Sequence, residues 1–158
     1  NNIIIFIHLI AAAIAIGSMV FSIILLLPST DKVPAQQELE EFSIPYKTVE
    51  LLAPTVFTCL LILIGTGIYY LLENYTGQMA LKPGYYNLFG LKLICVVVAF
   101  FLSIYQTFNL RARIANLDLS PENRKIVPKT IQQIKKTTIP VLVTFSLALF
   151  FGIWLARF

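Results

Sequence analysis

The sequence contains few of the side chains that build metal centres or active sites. Its 158 residues include one histidine, His8, and two cysteines, Cys59 and Cys95. No group of His, Cys, Asp and Glu stands at metal-ligand spacing, and no glycine-rich phosphate loop is present. Both cysteines lie within apolar segments, so we expect small buried side chains rather than a disulfide.

Charged residues are also scarce. They make up 13% of the chain, about half the share typical of soluble domains. No Asp or Glu lies inside a long apolar run, which argues against a proton relay or an ion-coupled transporter. The net charge of +4 is explained by lysines and arginines at a membrane surface, so we do not expect a nucleic-acid partner.

The sequence is rich in long apolar runs. Hydrophobic residues account for 58% of the chain and the mean hydropathy is +0.80. Four runs, at about 2–27, 51–72, 86–110 and 137–156, are long enough as helices to cross the ~30 Å hydrocarbon layer of a bilayer. The sequence therefore predicts an all-α integral membrane protein, a four-transmembrane-helix bundle that forms one domain over 1–158.

Small and polar residues recur at three- and four-residue spacing along each run, as in membrane helices that pack on one another. We expect these seams to face the bundle interior. In the first run the seam is His8, Ala11, Ala15, Ser18 and Ser22, and in the second it is Thr55, Thr58, Ile62, Gly65 and Tyr69. In the third it is Lys92, Cys95, Ala99, Ser103 and Gln106, and in the fourth Thr144, Ala148, Gly152 and Ala156.

Prolines and glycines suggest where the backbone changes. Pro54 is expected in the first turn of the second span, where its missing N–H costs least. Short helices are expected over 34–42 and from Ser120, the second interrupted by Pro128. Pro140 predicts a kink in the fourth span. The Gly65–Gly67 stretch is expected to admit a helix or a ligand close to the backbone.

Basic residues predict the orientation of the bundle. The connections after the first and third spans carry nine of the twelve lysines and arginines, so the positive-inside rule places both termini outside the cytoplasm. Tyrosines and Trp154 near the opposite face fit an aromatic belt. We expect a protein of the inner or plasma membrane of a bacterium or archaeon. The pattern at Asn74 matches a glycosylation acceptor, which carries little weight in such an organism.

One group of chemically distinctive residues is expected at the outer half of the bundle. His8 and Lys92 lie about two turns inside their helices, and Tyr69 and Trp154 approach the same level. His8 either bonds to a neighbouring backbone or hydroxyl group or is a functional residue, such as an axial ligand. Lys92 either extends to the interface or acts in the site. Ala11 and Ala12 leave room beside His8, enough for a macrocycle.

The segment from His8 to Ala13, followed by Gly17 and Phe21, resembles the four-helix CopD-type copper-resistance membrane domain and its heme-associated relatives. Gly90 to Leu93 at the start of the third span, with Arg111 and Arg113 at its end, resembles the same group. The resemblance implies copper uptake or b-type heme binding, with His8 and Lys92 as the matching residues. Such proteins commonly use more than one histidine, whereas this chain has one.

Ligand number separates the candidate cofactors. A six-coordinate heme b needs two axial ligands, so a second protomer or another subunit would have to supply one. A five-coordinate heme or the magnesium of a chlorophyll needs a single imidazole, whereas copper(I) prefers soft or multiple ligands.

Three functions follow from these considerations. The first is a non-catalytic accessory subunit of a respiratory or other energy-converting membrane complex, or a homo-oligomer, with a tetrapyrrole on His8. The second is a CopD-like protein that handles copper or heme. The third is an enzyme of heme metabolism that uses His8 and Lys92.

Overall fold

The computed structural model of the protein describes residues 2–26, 43–75, 84–110, 112 and 126–157, and the described part is helical. Helix α1 is Asn2–Phe21 and continues as a π-helical segment, Ser22–Leu26. Helix α2 is Ser43–Tyr75. Helix α3 is Tyr85–Ile104, with a π-helical continuation at Tyr105–Leu110, and α4 is Ile126–Leu155.

The predicted all-α fold with four membrane-compatible helices is confirmed. Four segments are long and apolar enough to cross a membrane: Asn2–Ile24, Leu51–Glu73, Tyr85–Leu110 and Gln132–Leu155. Helices α2 and α4, at 33 and 30 residues, would be about 50 and 45 Å long, well beyond the ~30 Å hydrocarbon layer. Each of them therefore extends beyond its span at its N-terminal end.

The helices run up and down as two antiparallel hairpins. Helix α1 packs chiefly on α2, and α3 packs chiefly on α4. The first residues of α1 and the last residues of α4 lie at one end of the bundle, which we call the terminal end. The hairpins meet in a core that combines α1 and α2 with two side chains of α4, Val141 and Phe145. At the opposite end Thr107 Oγ1 of α3 donates a 3.2 Å hydrogen bond to the Ala53 carbonyl of α2.

The seam predicted on α1 is confirmed. Ala11, Ala15 and Ser22 are 3%, 0% and 1% exposed, and His8 and Ser18 are half-buried. Small side chains allow helices to approach each other closely. In a bilayer this close packing is the main source of helix association, because lipid tails are as apolar as the helix surfaces.

The seam predicted on α2 is wrong. Its five positions, Thr55, Thr58, Ile62, Gly65 and Tyr69, are exposed. The threonine hydroxyls donate to carbonyls of their own helix, Thr55 to Leu51 at 2.7 Å and Thr58 to Pro54 at 2.8 Å, so they need no partner helix. The buried face of α2 is apolar instead, formed by Val56, Cys59, Leu60 and Leu63.

The seams predicted on α3 and α4 face inward for most of their length. Ala99, Ser103 and Gln106 are buried on α3, and Lys92 and Cys95 are half-buried above them. On α4 the buried member is Ala148, Thr144 and Gly152 are half-buried, and Ala156 is exposed.

Two proline predictions are corrected. Helix α2 begins at Ser43, so Pro54 lies in its interior and Pro45 occupies the first turn. Pro128 lies in the first turn of α4, where a missing N–H costs least, so it begins that helix instead of interrupting another. Pro140 lies inside α4, and the kink predicted there stays a prediction. The short helices predicted over 34–42 and from Ser120 fall outside the described residues.

Candidate functional site

His8 makes one specific contact, to Thr66 of α2. His8 Nδ1 and Thr66 Oγ1 are 2.7 Å apart, and both side chains are half-buried. The two residues meet because α1 and α2 are antiparallel and each residue lies about two turns from the terminal end of its span.

The hydrogen bonds of Thr66 favour one tautomer of His8. Thr66 Oγ1 donates its single proton to the carbonyl of Ile62 at 2.7 Å, so toward His8 it acts as an acceptor. Nδ1–H of His8 is then the donor, and Nε2 of the neutral imidazole keeps its lone pair. A histidine whose Nδ1–H is held by a neighbour and whose Nε2 is bare has the form that binds a metal ion.

Lys92 of α3 lies against Gly152 of α4, on the second hairpin. A Cβ atom placed at Gly152 would be 3.3 Å from Lys92 Nζ and 3.6 Å from its Cε. Gly152, which the sequence predicts as a packing residue of the fourth span, therefore leaves room for the lysine because it has no side chain. Gly152 is about one turn from the end of α4, so the lysine extends toward the terminal end.

The imidazole and the ammonium group belong to different hairpins. His8 lies on α1 and Lys92 on α3. Lys92 is half-buried, and in the part of the chain that the structure describes no carboxylate pairs with its ammonium group.

The alanines beside His8 do not provide space for a macrocycle. Ala11 and Ala12 are 3% and 5% exposed. Both belong to the core cluster, together with Leu60 and Leu63 of α2 and Phe145 of α4. The room that they leave is occupied by packed side chains, so a large ligand of His8 would have to approach from another direction.

Trp154 does not share the Lys92 side of α4. It follows Gly152 by two residues, which turns it about 200° around the helix. Its ring is 47% exposed and packs edge-to-face on Phe150, with 5.8 Å between ring centroids. Tyr69 lies one turn beyond Thr66 toward the terminal end and is 43% exposed. The contacts shown for the predicted site residues are therefore His8 with Thr66 and Lys92 with Gly152.

In the Gly65–Gly67 stretch, the contact to His8 is made by the central residue, Thr66. A Cβ atom at Gly65 or Gly67 would meet nothing within 4 Å, so no described residue approaches closely at either glycine. Thr66 is the residue that sequence reasoning missed. The sequence did contain a signal: Thr66 places a hydroxyl on the next helix, at the same distance from the terminal end as His8.

A second polar cluster lies at the opposite end of the bundle. Nε2 of Gln106, which is 6% exposed, donates to Thr137 Oγ1 at 2.9 Å and to Thr138 Oγ1 at 3.0 Å. The two hydroxyls donate in turn to carbonyls of α4. Ser103, one turn above Gln106, is buried and its hydroxyl has no partner among the described residues. These bonds join α3 to α4 where the π-helical segment Tyr105–Leu110 begins.

Replacement of Gln106 by leucine is expected to lower the free energy of unfolding by about 1 kcal/mol, because interhelical hydrogen bonds in membranes are worth roughly that amount. The volume is nearly kept and both threonine hydroxyls lose their donor. The measurement is unfolding in mixed detergent micelles. Gln132→Leu, at an exposed position of α4, is the matched control, and equal losses in the two variants would contradict a role for Gln106 in joining the helices.

Comparison of the chain with protein-family models, curated protein sequences and solved structures finds no significant match. Within the described residues, no group of three or more His, Cys, Asp and Glu side chains is placed to hold a metal ion. The functional argument therefore depends on the geometry of the site itself.

Proposed function

We propose that this chain is a non-catalytic accessory subunit of a larger energy-converting membrane complex and that it binds a tetrapyrrole through Nε2 of His8. The observation that carries the proposal is the 2.7 Å distance between His8 Nδ1 and Thr66 Oγ1, which we interpret as Nδ1–H donating to the hydroxyl. It leaves one nitrogen lone pair on a half-buried imidazole, and one such ligand is what a five-coordinate heme or a chlorophyll magnesium requires.

The surface of the helices supports a role inside an assembly. Between 11% and 22% of the residues in the most apolar stretch of each span are buried within the chain. The remaining apolar surface is available to lipid and to other membrane subunits, or to a second copy of the chain. The distribution of lysine and arginine supports an orientation with both termini outside the cytoplasm.

The donor set fits a single imidazole–metal bond. His8 would supply the metal ligand, and Thr66 would orient it. When bound, such a group would supply light absorption or one-electron chemistry to the complex. The residues of this chain would fix its position and its surroundings.

Copper handling, as in the CopD-type domain that the sequence resembles, is the second candidate. It is favoured by Cys95, whose free thiol lies one turn from Lys92 on the inward side of α3. Thiolate and imidazole together suit copper(I). The other sulfurs in the described residues, Met19 and Cys59, are enclosed in the core with 1% and 6% exposure.

The test is an absorption spectrum of the protein gently purified from its native membrane, combined with gel analysis of accompanying subunits and with metal analysis. A Soret or chlorophyll band together with stoichiometric membrane partners is the expected result. A colourless protein containing copper would favour the second candidate. A colourless, metal-free protein that purifies alone would contradict both.

A further inference from the structure

We propose that a single water molecule is bound inside the bundle at Ser103, where it bridges the Ser103 hydroxyl and the side-chain oxygen of Gln106. The site lies at the end opposite His8, so the proposal does not depend on a cofactor there. The ligand is water and not a larger polar molecule, because Ser103 is 1% exposed. Ala99, one turn before it, and Gln106, one turn after it, are 1% and 6% exposed.

The first argument is the hydroxyl of Ser103, whose buried Oγ atom has no hydrogen-bond partner among the described residues. A hydroxyl in a helix can donate to the carbonyl four residues earlier. Six threonines of the described helices do so, namely Thr55, Thr58, Thr66, Thr137, Thr138 and Thr144. Ser103 does not. A buried polar group without a partner is costly, and internal waters in proteins satisfy groups of this kind.

The second argument is the orientation of the Gln106 amide. Thr137 Oγ1 and Thr138 Oγ1 each donate their one proton to a carbonyl of α4, at 3.0 and 2.7 Å. Both oxygens can therefore only accept from Gln106, so the atom that faces them is Nε2, at 2.9 and 3.0 Å. The oxygen Oε1 is on the other branch of the amide, and an amide oxygen can accept two hydrogen bonds.

The third argument is spacing along α3. Residues three apart on a helix have Cβ atoms about 5–6 Å apart, and a long side chain leans over the turn before its own, which for Gln106 is the turn of Ser103. Two oxygens bridged by one water lie roughly 5 Å apart, because each O–H···O bond spans about 2.8 Å. One water therefore fits the separation that this spacing gives.

The proposed water completes the polar cluster between α3 and α4. Hydrogen bonds then run from Ser103 through the water to Gln106, and from Gln106 to Thr137 and Thr138. A buried polar network is stabilising when every member is satisfied and costly when one is not. The water joins α3 to α4 just before α3 becomes π-helical at Tyr105.

The experiment compares the unfolding of the full-length protein and of Ser103→Ala in mixed detergent micelles. Ser146→Ala is the matched control, since Ser146 is exposed on α4 and reports the effect of the same substitution on helix propensity alone. Relative to this control, Ser103→Ala should lower the folding equilibrium constant about fivefold, the effect of one net hydrogen bond. If the hydroxyl has no partner, its removal should raise the constant instead.

A double-mutant cycle tests the bridge to Gln106. Gln106→Leu removes Oε1, so Ser103→Ala made in that background should lower the folding equilibrium constant no more than Ser146→Ala does. A rise or no change for Ser103→Ala in the otherwise unchanged protein would overturn the water site. A loss of equal size in both backgrounds would overturn the bridge.

An experimental structure that shows ordered waters separates a bridging water from a direct bond. Density for a water within hydrogen-bond distance of both Ser103 Oγ and Gln106 Oε1 is the expected result. Direct contact between these two oxygens, or a bond from the Ser103 hydroxyl to the carbonyl of Ala99, would overturn the proposal.

Discussion

Replacement of His8 by glutamine is expected to abolish the tetrapyrrole band of the purified protein while the four helices still assemble. Glutamine is close to histidine in length but offers no nitrogen lone pair to a metal, so the ligand is lost. Its amide nitrogen takes the place of Nε2, whereas His8→Asn, whose amide takes the place of Nδ1, is the variant that also keeps the 2.7 Å hydrogen bond to Thr66 Oγ1. The absorption spectrum and the gel-filtration profile of the purified variant are the two measurements.

Thr66→Val is expected to weaken the tetrapyrrole band instead of abolishing it. Valine keeps the shape of threonine but cannot accept the proton of Nδ1, so the imidazole loses its fixed tautomer and orientation. Loss of such a supporting group lowers metal affinity about 10–100-fold, so the band should reappear at higher cofactor concentration.

Thr58→Val is the matched control, since Thr58 is an exposed threonine of α2 whose hydroxyl bonds only to Pro54 of its own helix. A full band in His8→Gln would show that His8 serves as a packing residue. Equal losses in the two threonine variants would show that Thr66 does not orient it.

The second large effect is expected at Ala15, the most completely buried residue of α1. It is 0% exposed and lies in the core cluster between α1 and α2. Leucine at this position adds three carbon atoms where the two helices are in contact, so the helices must separate or adjacent side chains must leave their preferred rotamers. Ala15→Leu should lower the free energy of unfolding by about 1–3 kcal/mol.

Ala13 provides the control for this substitution. It lies on the same helix but is exposed, so Ala13→Leu should change the free energy of unfolding by less than about 0.5 kcal/mol. Unfolding in mixed micelles can be followed through the fluorescence of Trp154, the single tryptophan. If the two variants unfold alike, α1 and α2 do not pack at Ala15.

The helices were predictable from composition because a span is defined by length and apolarity alone. The α1 seam was also predictable, since alanine and serine among isoleucine and leucine mark where a second helix approaches. The α2 seam was not, because threonine satisfies its hydroxyl within its own helix and so says little about which face is buried. Apolar residues such as Leu60 and Leu63 fill that face instead.

The site was predictable in part. Sequence indicated His8 and Lys92, because polar groups are rare within spans. Their partners depend on which helices are neighbours and on how each helix is rotated. Thr66 meets His8 through the pairing of α1 with α2, and Gly152 meets Lys92 through the pairing of α3 with α4. Trp154 was placed by depth alone, and the rotation of α4 directs it to the outside.

The division of the site between two hairpins bears on how the protein is made. The hairpin of α1 and α2 leaves the ribosome first and can pair His8 with Thr66 before α3 exists. Lys92 and Gly152 come together only after the last helix has been synthesised. A cofactor that contacted both pairs of residues would therefore be loaded after chain completion, onto a finished protein instead of a nascent chain.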